Sequence, residues 1–232
     1  MRQKTLSSFA ASVWPKRGKK SILLYMKEKC IIITSHIHGN LKDLIDFDDA
    51  YILCADGGWE LARDAGIKPD LIVGDLDSSK ETPPHDIPLE KLPTHKDLTD
   101  TARCIHCAVE KGYRRIFLLG GLGGRADHSL ANLQNMVAAA KKQISIIMMD
   151  AQNIVMALVD DEILLPAMPG YKLSLFSHSD RCEGVTARGV EYPLDNAVLT
   201  SDYPLGVSNE FVEEEAYLKV AHGTLLIMLS KD

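Results

Sequence analysis

The sequence predicts an α/β protein built in two parts: an N-terminal parallel-sheet α/β domain followed by a C-terminal antiparallel β-sandwich domain. Three observations carry this. Between Cys30 and Met149, short apolar runs alternate with helical stretches, the pattern of βαβ units. After about residue 152 the helical periodicity stops, and short β runs follow at close spacing, punctuated by Gly, Pro and Asp/Asn. Two of the early runs release a carboxylate beside glycine at their C-terminal ends, in Ala55-Asp56-Gly57-Gly58 and Gly74-Asp75-Leu76-Asp77. In an open parallel sheet that edge is where ligands bind.

Residues 1–29 hold eight basic side chains and one acid, and with them set aside the rest of the chain carries 18 basic against 31 acidic residues. The segment lacks the apolar core of a secretory signal. Its expected status is a disordered extension or a mis-assigned start, since Met26 sits just before the first strand. Cys30–Thr34 reads as that strand, Leu41, Leu44 and Ile45 show helical spacing, and Ala50–Ala55 is the second strand. A helix at about 59–65 and a strand at about 70–74 follow. Residues 79–95, rich in Pro and charge, read as a long loop with one extended piece near Leu89–Leu92.

Asp97 to Gly112 reads as a helix with Ala102, Ile105 and Val109 on one face. Arg115–Leu119 is a strand, and Asp127–Lys142 a second helix with Leu130, Leu133 and Val137 as its buried stripe. Ile144–Met149 completes this part, giving a 30–152 domain and a boundary between Asp150 and Asp160. The 153–232 domain is expected to contain runs at Asn153–Val159, Glu162–Leu165, Lys172–His178, Gly184–Leu194, Ala197–Thr200, Val207–Val212 and Ala216–Ser230.

A net charge of −6 argues against a general nucleic-acid binder, whose footprint would be basic. No apolar run approaches the ~20 residues that span a bilayer. Five scattered cysteines do not make a disulfide framework and fit a reducing compartment, so a cytoplasmic location is expected. Cys104-Ile105-His106-Cys107 has no second pair to complete a zinc site and reads as reduced thiols on a helix.

Three clusters carry chemistry. Asp75 and Asp77, two apart, would present both carboxylates on one face of extended backbone, a donor set for Mg²⁺, although Asp-rich segments after strands also serve as turns. In Lys96-Asp97-Leu98-Thr99-Asp100, Asp97 would cap a helix; alternatively Asp100 is a third carboxylate at the metal, with the lysine paired to phosphate or to an acid. The third cluster is Gly120-Gly121-Leu122-Gly123-Gly124-Arg125 before a helix. Its amides and the helix dipole favour bound phosphate, yet it matches neither a Walker A loop nor the dinucleotide fingerprint. Arg125 suits a phosphate fork, and His128, Asn132 and Asn135 share a helical face that would line a cleft.

Taken in order, ADGG at 55–58, PDLIVGDLDS at 69–78, KDLTD at 96–100 and GGLGGRADHSLANL at 120–133 resemble the thiamine pyrophosphokinase family. Weaker matches follow at Thr186–Tyr192 and Gly206–Glu210. The resemblance implies transfer of pyrophosphate from ATP to the hydroxyl of thiamine, giving thiamine diphosphate and AMP, with Mg²⁺ as cofactor. It also implies a homodimer whose thiamine cleft lies between one subunit's α/β domain and the other's β domain. Carried onto this chain, Asp75, Asp77 and Asp100 are the catalytic and metal-binding set. The nucleotide and pyrophosphate residues would be Asp56, Gly57, Lys96, Thr99, Gly123, Gly124, Arg125, Asp127 and His128, with Ser208 and Asn209 at thiamine. Trp59, Tyr192 and Phe211 are the aromatic candidates for stacking on thiamine. Two places depart from the family pattern: Trp59-Glu60 after Asp-Gly-Gly, and Thr34-Ser35-His36-Ile37-His38-Gly39 where a Gly-Gly turn is usual. The rival readings are a Mg²⁺-dependent phosphohydrolase and a non-catalytic nucleotide-sensing module.

Overall fold

A computed structural model describes residues 5–13, 29–77, 79, 81–93 and 98–232. Its first helix, α1 (Leu6–Ser12), is closed at its start by a capping box in which the Thr5 hydroxyl accepts from Ser8 N–H and Ser8 reaches back to Thr5 N–H. Phe9, Ala10 and Val13 are buried in the main core, so the expected disordered extension is corrected for residues 5–13. Residues 1–4 and 14–28, including Met26, lie outside the described residues.

The parallel half then runs β1 (Lys29–Ile33), α2 (Leu41–Leu44), β2 (Ala50–Ala55), α3 (Gly58–Asp64), β3 (Leu71–Gly74), β4 (Leu89–Lys91), α4 (Asp100–Glu110), β5 (Arg115–Leu119), α5 (Ala126–Ala140) and β6 (Ser145–Met149). Its strands lie in the order β4-β3-β2-β1-β5-β6, all parallel. Strand β1 pairs with β2 on one side and β5 on the other, so the winding reverses between β1 and β5. That reversal opens a crevice at the carboxyl ends of the strands. Alternate residues of β1 go to opposite faces: Ile31 and Ile33 meet the side covered by α1, α2 and α3, while Cys30 and Ile32 meet α4 and α5. Both faces are therefore apolar, which is why these strands read as unbroken hydrophobic runs.

The antiparallel half runs β7 (Asn153–Val159), β8 (Glu162–Pro166), β9 (Lys172–Ser177), β10 (Arg181–Arg188), β11 (Leu194–Thr200), β12 (Gly206–Asn209), β13 (Glu215–Lys219) and β14 (Thr224–Ser230). The expected boundary is not a gap in the structure. Strand β7 pairs antiparallel with β6, and β14, β9 and β12 extend the same sheet to ten strands. The corner is pinned by buried Asp150, whose Oδ1 accepts from the N–H groups of Gln152 and Asn153, both at 2.8 Å. A separate sheet in the order β11-β10-β13-β8 packs over this extension. Ile154, Leu173, Ile227, Val185 and Leu218 all belong to the core that also lies under α1, α2 and α3. One apolar layer thus serves both halves.

Several boundaries differ from expectation. The run Ala216–Ser230 is two strands, split near Gly223, which adopts φ +117° and where a Cβ would stand 2.8 Å from Arg181 O. The run Gly184–Leu194 divides between β10 and β11, and Val207–Val212 shortens to a strand ending at Asn209. Helix α4 starts at Asp100 because Thr99 is its N-cap, its hydroxyl accepting from Ala102 N–H at 3.2 Å. Lys96 and the expected cap Asp97 lie outside the described residues.

Candidate active site

The carboxylates gather where β1, β2 and β3 end, and small residues let those ends close up. A Cβ on Gly58 would stand 2.2 Å from the Ile33 carbonyl oxygen, so the start of α3 can rest on the end of β1 only as glycine. Asp56 follows β2 with φ 48°, an uncommon conformation for a residue with a side chain, held by its N–H donating to Val73 O at 2.8 Å. Gly74 lies against it, its Cβ position 3.0 Å from the Asp56 Cα.

Beyond Gly74 the chain turns. Leu76 adopts φ 64°, and Asp77 N–H donates to the Asp75 carboxylate at 3.2 Å. The two acids therefore share a face through a side-chain-closed turn, not through the strand alternation expected. The result is that carboxylate oxygens of Asp56, Asp75 and Asp77 all lie within 4.8 Å of one another. The carboxylate that clusters with Asp75 and Asp77 is thus that of Asp56. Asp100, in the first turn of α4, lies outside that trio but near enough to act on it. Burial pushes the Asp56 carboxyl above its usual range, and the charges of Asp100, Asp77 and Asp75 add to the push, while the Gly57 N–H opposes it. An all-oxygen trio with this mutual repulsion fits a hard divalent cation.

The glycine-rich loop lies at the end of β5, across the crevice from β1. Gly120, Gly121, Gly123 and Gly124 all have positive φ, between 63° and 86°. Side-chain contacts hold the loop at both its base and its middle. Thr34 Oγ1 donates to Leu119 O at 3.0 Å, and Asn132 Nδ2 donates to Gly121 O at 3.0 Å. Asn132 is only 7% exposed, so it latches the loop and does not line a cleft as expected; Leu130, placed in the buried stripe from sequence, is 57% exposed. Of the rest of the expected stripe, Val137 is buried and Leu133 packs against the core; Met136 and Ala139 complete the apolar face of α5, with Asn132 among them because a carbonyl needs a donor there. An asparagine within an otherwise apolar face was the available signal for this role.

Arg125 and Asp127 form a two-pronged pair at the start of α5, Nη2 to Oδ2 at 2.6 Å and Nε to Oδ1 at 3.1 Å, both well exposed. The Arg125 hydrogen bond holds the Asp127 carboxyl below its ordinary range. This fork engages two of the five N–H donors of a guanidinium. Gly123, Gly124 and His128 are exposed beside it.

Comparison with known proteins identifies the family. The family model described as thiamin pyrophosphokinase, catalytic domain, covers residues 42–148, and that for the vitamin B1 binding domain covers residues 162–225. The thiamine pyrophosphokinase of Bacillus subtilis is 30% identical over 200 residues, 83% of this chain and 94% of that protein. The chain belongs to the thiamine pyrophosphokinase family. The crystal structure of a Bacillus subtilis thiamine pyrophosphokinase superposes with a TM-score of 0.81 at 27% identity, covering 88% of this chain and all of that one. Thiamin pyrophosphokinase from Candida albicans shares the fold at 16% identity, with a TM-score of 0.73 over 88% of this chain and 90% of that one.

Against that family background, the residues expected at thiamine fall into two groups. Ser208, exposed, has φ 59° in an irregularity of the β12–β9 pairing, with its N–H donating to Ser174 Oγ at 3.0 Å. Asn209 is buried: its Oδ1 accepts from Tyr192 N–H at 3.0 Å and its Nδ2 donates to Tyr192 O at 2.8 Å. It therefore holds the segment that presents Tyr192, a residue 70% exposed. Trp59 is corrected as a stacking candidate, being 1% exposed with Nε1 donating to Ser79 Oγ at 3.2 Å; Phe211 is partly buried.

Proposed function

We propose that this chain transfers the pyrophosphoryl group of ATP to the hydroxyl of thiamine, forming thiamine diphosphate and AMP with Mg²⁺ as cofactor. The observation that carries the reading is the convergence of Asp56, Asp75 and Asp77 at the same sheet edge as a rigid glycine loop. The thiamine oxygen attacks the β-phosphorus, the bond from that phosphorus to the bridging oxygen breaks, and AMP leaves with the electron pair. Such a displacement depends on alignment and charge neutralisation more than on covalent help. Asp56, Asp75 and Asp77 would hold the cation, which when bound offsets charge on the phosphate oxygens. Asp100, beside the trio, takes the hydroxyl proton in this reading. Amides of 120–124 and the outer donors of Arg125 receive phosphate oxygens, with Asp127 fixing the guanidinium. Thr99 acts in this reading chiefly as the cap that starts α4 at Asp100.

A homodimer with thiamine at the subunit interface accords with Tyr192, Tyr203, Leu205 and Val207, all large, apolar and exposed in the antiparallel half. A reducing, cytoplasmic setting accords with five free and buried cysteines, whose thiols burial pushes upward in pKa. No helix among the described residues is long and apolar enough to cross a membrane. The deciding experiment incubates the protein with ATP, Mg²⁺ and thiamine. Equal amounts of AMP and thiamine diphosphate are expected. Phosphate release without thiamine would favour a phosphohydrolase, and ATP binding without AMP would favour a sensing module.

A further inference from the structure

The loop after β1 brings two imidazoles onto the glycine loop. A Cβ on Gly123 would stand 3.1 Å from His36 Nε2 and 3.5 Å from His38 Nε2, and Gly124 faces the same His36 ring at 3.8 Å. The two rings meet edge to face, with centroids 5.2 Å apart. Both residues are exposed, and among the described residues neither imidazole nitrogen hydrogen-bonds to protein. Their backbone, by contrast, is tied down. Thr34 Oγ1 bonds to Leu119 O and to His36 O, and His38 O accepts from Ala151 N–H at 2.9 Å. Gly120 approaches so closely that a Cβ there would sit 2.2 Å from His36 O. Two N–H donors are thus held by rigid supports at the mouth of the β1–β5 crevice, facing a phosphate cradle. A pre-positioned donor costs little ordering when it engages a ligand.

We infer that His36 and His38 form the second wall of the phosphate site, donating to the polyphosphate of ATP opposite the amides of Gly120–Gly124. This rests on the functional reading above and adds to it residues that contact the nucleotide and not thiamine. At Gly123 a Cβ would crowd the His36 ring at 3.1 Å, so glycine there also makes room for the imidazole, whereas at Gly124 a Cβ would stand at ordinary contact distance.

The test measures binding of ATP with Mg²⁺ by calorimetry, and KM for each substrate, in wild type and in His36→Leu, His36→Gln and the His36→Leu/His38→Leu double variant. Loss of a hydrogen bond to a charged group weakens binding about tenfold or more. The Leu variants should therefore raise Kd and KM for ATP by about that factor per donor, with KM for thiamine and Tm unchanged. Glutamine keeps an N–H donor, so His36→Gln should recover most of the affinity. If wild type turns over but the double variant binds ATP unchanged, the inference alone falls. A fall in Tm that tracks the loss of affinity, unrescued by glutamine, would show a merely structural role and overturn it too. If wild type itself makes no AMP, the functional reading fails first and takes this inference with it.

Discussion

The two halves of the ten-stranded sheet use the same backbone hydrogen bonding to opposite ends. In the parallel half every strand from β1 to β6 ends on the same side, so the loops after β1, β2, β3 and β5 share one edge. Asp56, Asp75, Asp77 and the 120–124 glycines reach that edge from chain positions far apart. In the antiparallel half successive strand ends alternate, and no edge collects them. What that half offers is apolar surface: its core side joins the shared core, while Val207 on β12 and Tyr192 and Tyr203, in the connections on either side of β11, are exposed. Charge gathers at an edge where strand ends converge, and the antiparallel half gathers exposed apolar side chains.

Three variants would break or sharpen this contrast. The largest effect is expected from Asp77→Asn, which should lower turnover on the order of a thousandfold while leaving Tm of the ligand-free protein unchanged or higher. Adding Mg²⁺ with ATP should raise Tm in wild type and not in this variant. Retained activity would remove Asp77 from the centre. Leu218→Ala attacks the other half: a fully buried side chain on β13 is lost, with a cost of about 3 kcal/mol in urea unfolding. Its turnover per folded molecule should stay near wild type, and a large fall in kcat would show that the halves are not separable in function.

The smallest effect concerns how α4 is tied to the edge strand β4. Arg103 bonds to Glu90 through Nε at 2.6 Å, and that hydrogen bond holds the Glu90 carboxyl below its ordinary range. A depressed folded pKa stabilises above the unfolded value, near 4.5 here, and the benefit disappears as pH falls through the depressed value. Arg103→Met should therefore cost about 1 kcal/mol at neutral pH, shrinking toward zero in acid, as measured by urea unfolding at several pH values. A deficit independent of pH would assign the effect to packing of the arginine stem instead.

Most strands of the parallel half were legible because they are local facts. Ala50–Ala55 and Arg115–Leu119 are short apolar runs closed by Asp-Gly and Gly-Gly, and their bounds agree with the structure. Helix registers were harder. Asn132 turned inward because the part-buried carbonyl of Gly121 takes a donor there, a need that hydrophobic periodicity does not record, while Leu130 is exposed. Phe9, Ala10 and Val13 were hidden by the surrounding basic residues, which masked a short apolar face in a charged segment.

The order of strands and helices, the acids beside glycines and the family itself were determined by the residues read in line, since each depends on neighbours within a few positions. Which carboxylate joins Asp75 and Asp77, where Trp59 points, and that one sheet and one core run through both halves were decided only in three dimensions. Those outcomes depend on close approach between distant segments, such as Gly58 on Ile33 or β14 on β7, and no local pattern specifies which segments will meet.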